Sequence, residues 1–222
     1  MLAGDDATQN IENFAFDLKL SIGSGYSFVS DNELSSSTKY VQDGDWTLAF
    51  KAQSLTGISP YEIYKSQGVR HEVRGSFPER CTKLAKVRFL VIINSEIKRE
   101  IIFDGKNSNN TDWFSSRRIQ SSSWTDLTPT QTYNLFSLQG IQDGRVNRHW
   151  SISHSFGGCP NDRAWFTISF YPPTGCDFDK RESAMPNFVV CPGTTMCNMQ
   201  RDSINADAFA IQIKARNKLP MM

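Results

Sequence analysis

Hydrophobic and polar residues alternate along much of this chain, and the period of the alternation is two rather than 3.6. The pattern is strongest at Phe14, Phe16, Leu18, Leu20 and Ile22, separated by Ala15, Asp17, Lys19 and Ser21, which predicts a strand with one buried face. The stretch DGDWTLAFKA repeats it, placing Trp46, Leu48 and Phe50 on one face against Thr47, Ala49 and Lys51. KVRFLVIINSEIKREIIFDG reads as two strands joined around Asn94-Ser95-Glu96, a hairpin. Its first arm is apolar on both faces near Leu90 to Ile93, which predicts a central position in a sheet. Alternation returns at Trp150, Ile152 and His154, at Phe166, Ile168 and Phe170, and at Phe209, Ile211 and Ile213.

Polar turn-forming clusters separate these runs: GSGYS, DNELSSSTK, DGKNSNNTD, TPTQT and YPPTG. A short helix opening at Ser59 in SPYEIYKSQ is the one helical expectation. Short strands with polar turns predict an all-β fold, an antiparallel β-sandwich of jelly-roll-like form, with a closed β-barrel as the alternative. Neither repeats nor a Pro-rich linker divides the chain, so residues 1–222 are read as a single β domain, with the acidic segment 1–46 packed on it.

Charge sharpens this picture. The net charge of +1 gives no support to nucleic-acid or membrane-surface partners. It is unevenly spread: residues 1–46 carry two basic and eight acidic side chains, and residues 47–118 carry thirteen basic and seven acidic. The expectation is neutralisation within one fold, although pairing between protomers of a homo-oligomer uses the same asymmetry. No apolar run approaches the length of a membrane span, which predicts a soluble chain. MLAGDDATQN is too short and too acidic to read as a signal peptide.

Five cysteines, Cys81, Cys159, Cys176, Cys191 and Cys197, allow many pairings. Their spacing does not fit a zinc site; His154, five residues before Cys159, could serve a cysteine nucleophile as base, but no hydrolase signature surrounds it and no orienting group is identifiable. The corners Gly157-Gly158 and Pro172-Pro173 can fold the loops flanking the strand at Trp165 back on each other, so Cys159 and Cys176 read as a staple. Such a bridge stabilises by roughly 3 kcal/mol in the chain-entropy picture. Cys191 and Cys197, enclosing Pro192-Gly193, read as a second small bridge, with Cys81 left as a buried thiol or an intermolecular partner. Two bridges imply an oxidising compartment.

His71, His149 and His154 form no metal-binding pair, and phosphate loops, nucleophile elbows and kinase motifs are absent from the sequence, which predicts a non-enzyme. The richest loop is FDGKNSNNTDWFSSRRIQSSSW. Asp104, Asn107, Asn109 and Asp112 offer oxygens of the kind calcium accepts, although Lys106 interrupts the set. Asn109 also opens a glycosylation acceptor, Asn109-Asn110-Thr111. Trp113, Phe114, Arg117, Arg118 and Trp124 combine ring faces that stack on sugars with guanidiniums that grip carboxylate or sulfate, or else serve as core anchors and solvated charges.

In order along the chain, DGDWTLAFKAQSLTG, IIFDGKNSNNTDWFSSRRIQSSSWTDL, YNLFSLQG, RHWSISHSFGGCPNDRAWFTI and ADAFAIQIKA resemble landmarks of an uncharacterised family of secreted β-rich domains from marine invertebrates such as cnidarians and molluscs. The resemblance covers residues 43–215 and implies secretion, a β-rich fold and a Cys159–Cys176 bridge; it implies no catalytic residue.

Two function classes follow. One is an extracellular recognition or adhesion module that binds glycans or partner proteins through its loops. The other is a lipocalin-like carrier of a small apolar ligand, such as a pigment or lipid; GDWTLAF resembles the Gly-x-Trp entry strand of lipocalins, although forty-three residues precede it and no long helix precedes the final strand. A carrier needs a hollow interior and a sandwich fills the same space with side chains.

Overall fold

A computed structural model of the chain describes residues 42–43, 45–65, 84–171 and 174–215. The expected strand at Phe14 to Ile22, the rest of the acidic segment up to residue 41, His71 and Cys81 lie outside the described residues.

Among the described residues thirteen strands run as β1 (Gln42–Asp43), β2 (Trp46–Gln53), β3 (Leu84–Ile93), β4 (Glu96–Asp104), β5 (Ile119–Ser122), β6 (Leu135–Ser137), β7 (Ile141–Gln142), β8 (Asn147–Ser155), β9 (Arg163–Ser169), β10 (Asn187–Val190), β11 (Cys197–Asn198), β12 (Ile204–Ala206) and β13 (Ala208–Ala215). The first sheet has the order β1-β2-β13-β3-β4-β5. The second has the spine β12-β10-β9-β8-β6, with β11 on β9 and β7 on β8. Every pairing is antiparallel, and the two sheets pack face to face without closing into a barrel, so the sandwich stands and the barrel alternative is corrected.

The hairpin between β3 and β4 turns on two residues, Asn94 (φ 52°) and Ser95 (φ 62°), the left-handed pair that matches the twist of the flanking strands. Strand β3 lies between β13 and β4, which explains why both its faces are apolar. Strand β2 departs from simple alternation. Ile211 stands opposite Phe50 but Gln212 stands opposite Leu48, so Ala49 is an extra residue, a bulge. Phe50 therefore enters the interior beside Trp150 and Phe209, while Leu48 packs on the outer face with Leu90, Ile92, Ala208 and Ala210. The expectation that Trp46, Leu48 and Phe50 share a face is corrected, because one inserted residue reverses the parity of a strand.

The interior is filled with rings. Phe89 meets Phe166 at 5.3 Å, Phe188 meets Phe209 at 5.3 Å, and Trp150 meets Phe209 at 5.1 Å, binding the sheets across their interface. Trp113, Trp124, Trp150 and Trp165 are all fully buried and belong to one dense core between the sheets. Trp150 sits in a left-handed conformation (φ 42°) at a bulge in β8, strain that its complete burial offsets.

The outer face of the second sheet is also buried and is mixed: Ser151, Ser153, Thr167, Ser169 and Asn187 lie on it beside Val189, which packs in an apolar cluster with Cys176, Phe178 and Met199. Short 3₁₀ turns at Cys159–Asn161 and Asp177–Lys180 accompany a layer fastened to this face through Arg148. Its guanidinium grips Asp179 bidentately at 2.9 and 2.7 Å and reaches Asp162 at 3.3 Å. Asp179 also accepts from the Cys176 backbone N–H at 2.8 Å and from the Ser169 hydroxyl. The Phe178 ring lies 4.7 Å from the guanidinium. Burial by itself would push Arg148 down, and the two carboxylates reverse this and hold it above its ordinary value. Both expected disulfides are formed, Cys159–Cys176 against this cluster and Cys191–Cys197 beside it.

Gly140 lies where the chain passes close to β8. It has φ +75°, and a Cβ there would stand 1.7 Å from the Arg148 carbonyl oxygen. Gly140→Ala is expected to cost at least about 2 kcal/mol. Gly144→Ala, where nothing lies within 4 Å, is expected to stay within about 1 kcal/mol of the wild type, as read by thermal melting of the two variants side by side.

Candidate functional site: an aromatic cleft

One short helix sets the site. Ser59 accepts from the Glu62 N–H at 3.3 Å through its hydroxyl and opens α1 (Pro60–Lys65), as the sequence predicts. Tyr61 and Tyr64, three residues apart, share one side of this helix. Tyr64 is held from two directions: its hydroxyl accepts from Trp113 Nε1 at 3.0 Å and donates to the Asn110 carbonyl at 2.7 Å. Tyr61 stacks on His149 with centroids 4.4 Å apart and 12° between planes. Lys65 Nζ lies 4.8 Å from the Tyr61 centroid and pairs with Glu62 at 3.0 Å.

Between this helix, Thr111 and Phe114 of the loop after β4, and residues 136–139 lies a cleft of about 290 Å³. Phe114 and Phe136 form its apolar wall, their rings 5.0 Å apart. Thr111, Ser137, Gln139 and Lys65 supply polar groups at its margin. Such a space, lined by rings and a few polar groups, suits one small ring-shaped ligand.

His149 is 2% exposed and donates from Nδ1 to the Gln139 carbonyl at 2.6 Å, as the neutral ring with that nitrogen protonated. Burial pushes its pKa below the ordinary value, and the Gln139 contact and Glu62 only partly oppose this. His149 is thus a supporting floor for Tyr61, while His154, on the same strand, has Nδ1 buried without a hydrogen bond.

The aromatic platform expected from Trp113, Phe114 and Trp124 is not on the surface. Trp113 and Trp124 are completely buried and Phe114 is 3% exposed, because their burial contributes more than any exposed ring could. Trp124 Nε1 donates to the Cys191 carbonyl at 3.1 Å, as a core anchor would. Of the three, Phe114 reaches the cleft. Arg117 is exposed, and Arg118 turns inward.

Arg118 organises the oxygen-rich loop. Its guanidinium donates to the carbonyls of Lys106 at 2.9 Å, Asp112 at 3.1 Å, Asp104 at 3.3 Å and Asn107 at 3.4 Å, and to the Asp112 carboxylate at 3.3 Å. The remaining oxygens are taken locally: Asp104 accepts from the Lys106 N–H, and Asp112 from the Asn109 N–H. Asp104, Asn107 and Asp112 therefore face a cation belonging to the chain itself. Among the described residues no group of three or more His, Cys, Asp or Glu side chains converges to hold a metal. Asn109 is exposed, and its side-chain oxygen accepts from Thr111 and from the Asp112 N–H, so the acceptor sequence is presented as a tight Asx turn.

Tyr61, Tyr64, Lys65 and Phe136 are functional candidates that the strand pattern does not single out. The signal available for two of them is the tyrosine pair at helical spacing behind a serine cap. Compared with known protein families, curated proteins and solved structures, the chain matches none.

Two outcomes follow from these contacts. Millimolar calcium or a chelator should leave the melting temperature unchanged, whereas Arg118→Met should lose about 1–3 kcal/mol by leaving the loop carbonyls without their donor. Because His149 is depressed in the folded state, the unfolded chain takes up its proton first as the pH falls. Stability from the neutral ring is complete above the ordinary histidine value of about 6.5 and is lost as the pH drops toward the folded value. Denaturant titrations from pH 7.5 to 5 should show this loss in the wild type and a flatter profile in His149→Phe.

Proposed function

We propose that the chain is an extracellular recognition module that binds a saccharide ring in the cleft between α1 and the residues from Phe136 to Gln139. The observation that carries this reading is the cleft itself: aromatic walls, a fixed tyrosine pair and a polar margin in a space near the lower end of ordinary ligand sites, about 300 Å³. A saccharide presents a C–H face to rings and hydroxyls to Thr111, Gln139 and Lys65. The cleft is pre-arranged, since Tyr64 bridges Trp113 and Asn110, so little ordering is lost on binding.

Two disulfides support an oxidising compartment, and with it secretion. Among the described residues no helix is long and apolar enough to cross a membrane. The resemblance to secreted invertebrate domains points the same way. A filled interior favours recognition over carriage. No catalytic role is assigned to any residue.

A glycan array with the full chain, with and without calcium, tests the reading. Binding to a defined neutral sugar terminus is expected, calcium-independent and weakened about tenfold or more by Tyr61→Ala. An array without a neutral ligand, or a Tyr61→Ala variant that binds like the wild type, rejects the cleft as the site.

A further inference from the structure

We infer a second binding site, for the acid group of a sulfated or carboxylated saccharide, in a concavity of about 460 Å³ where β9 begins beside β11. It is independent of the aromatic cleft. His149, beneath that cleft, stands opposite Ile168, whereas Arg163 stands opposite Ser155 at the other end of the β8–β9 pair. Five residues of strand, about 17 Å, separate the two positions along β9.

Arg163 lines this concavity from β9, and Arg201 lines it from α2 (Met199–Asp202). Both are exposed, and among the described residues neither guanidinium has a hydrogen bond or an ion pair. This sets them apart from Arg118, Arg148 and Arg181, whose guanidiniums are each engaged by protein oxygens. Two guanidiniums bordering one hollow offer planar donor forks that an acid group can accept. Asn161 and Asn198 add polar margins, and Met196 adds an apolar wall. Asp202 also lines the space. A carboxylate there disfavours a bare inorganic anion and accepts from sugar hydroxyls, so the ligand that fits carries both an acid group and hydroxyls.

The walls are fixed before any ligand arrives. Asn198 Nδ2 donates to the Pro160 carbonyl at 2.7 Å, joining the two sides, and its Oδ1 accepts from the Gln200 and Arg201 N–H groups at 3.1 Å each. The Met199 N–H donates to the Asp162 carbonyl at 2.9 Å, and the Met196 N–H donates to Asp126 at 3.0 Å. Cys159–Cys176 restrains the first of these segments and Cys191–Cys197 the second. Only the arginine side chains have to be ordered on binding.

Calorimetric titration of the full chain at low salt, with neutral, sulfated and carboxylated forms of one disaccharide, is the test. An acidic form should bind about tenfold or more tightly than the neutral form, and this preference should fall with added salt. Arg163→Ala and Arg201→Ala should each weaken binding of the acidic form about tenfold or more, Arg117→Ala, an exposed arginine elsewhere, should leave it unchanged, and Tyr61→Ala should weaken only the binding that the neutral form shares. The last control separates this site from the aromatic cleft. Equal affinity for the neutral form, undiminished binding by the Arg163→Ala/Arg201→Ala double variant, or equally tight binding of inorganic sulfate would each overturn the inference.

Discussion

The buried Arg148–Asp179 pair is the interaction on which the second sheet depends. A guanidinium taken out of water costs several kcal/mol unless its charge is matched and its donors are used. Here Asp179 matches it bidentately and Asp162 reaches a third donor. The two carboxylates come from different stretches, one after the turn at Cys159–Asn161 and one in the turn at Asp177–Lys180, so the arginine on β8 gathers the covering layer onto the sheet. Two polar side chains on the buried outer face of that sheet find partners in the layer above: Ser169 donates to Asp179, and Asn187 donates to the Asp179 carbonyl at 3.0 Å. Cys159–Cys176 closes the same covering layer beside this cluster, a covalent restraint where the charge network already fixes the geometry.

The inner face of that sheet works by the opposite chemistry. Its strands present Trp150, Phe166 and Phe188 to Phe89 and Phe209, and ring packing replaces hydrogen bonding as the source of specificity. Strand β8 serves both layers, with Arg148 in the polar one and Trp150 in the aromatic one. The bulge at Trp150 is the local adjustment within that strand. His149 lies between these two residues and supports Tyr61, so the aromatic cleft is attached to the same strand as the charge cluster. The second concavity is attached through Asp162, whose carbonyl accepts from the Met199 N–H. Both candidate surfaces thus rest on elements ordered by one buried arginine.

In the loop after β4 an oxygen-rich composition meets a cation of the chain itself. Asp104, Asn107 and Asp112 have the residue types of a calcium site, yet Arg118 follows closely and donates into the same carbonyls. A tethered guanidinium has the advantage of effective concentration over an ion drawn from solution. The neighbouring tryptophans look like a sugar-binding platform in the sequence for the same reason that they make good core residues: they are large and apolar. Burial decides which role each takes, and residue type alone does not.

Strand positions at β2, β3, β4, β8, β9 and β13, the hairpin at Asn94-Ser95, the helix start at Ser59 and the two disulfides were legible because each is set by neighbours close in sequence: a period of two, a turn pair, a hydroxyl cap, a short spacing between cysteines. The face presented by Phe50 was not legible, since the bulge at Ala49 appears only in the register against β13. Nor were the pairing of Arg148 with Asp179, 31 residues away, and the meeting of Tyr61 with His149. The cleft and the second concavity are likewise made of segments far apart in the chain. Local periodicity determined those six strands and the all-β class by itself. Sheet order and packing decided which rings are buried, which arginines are paired and which side chains share a surface, because those outcomes depend on distances between segments that no stretch of sequence contains.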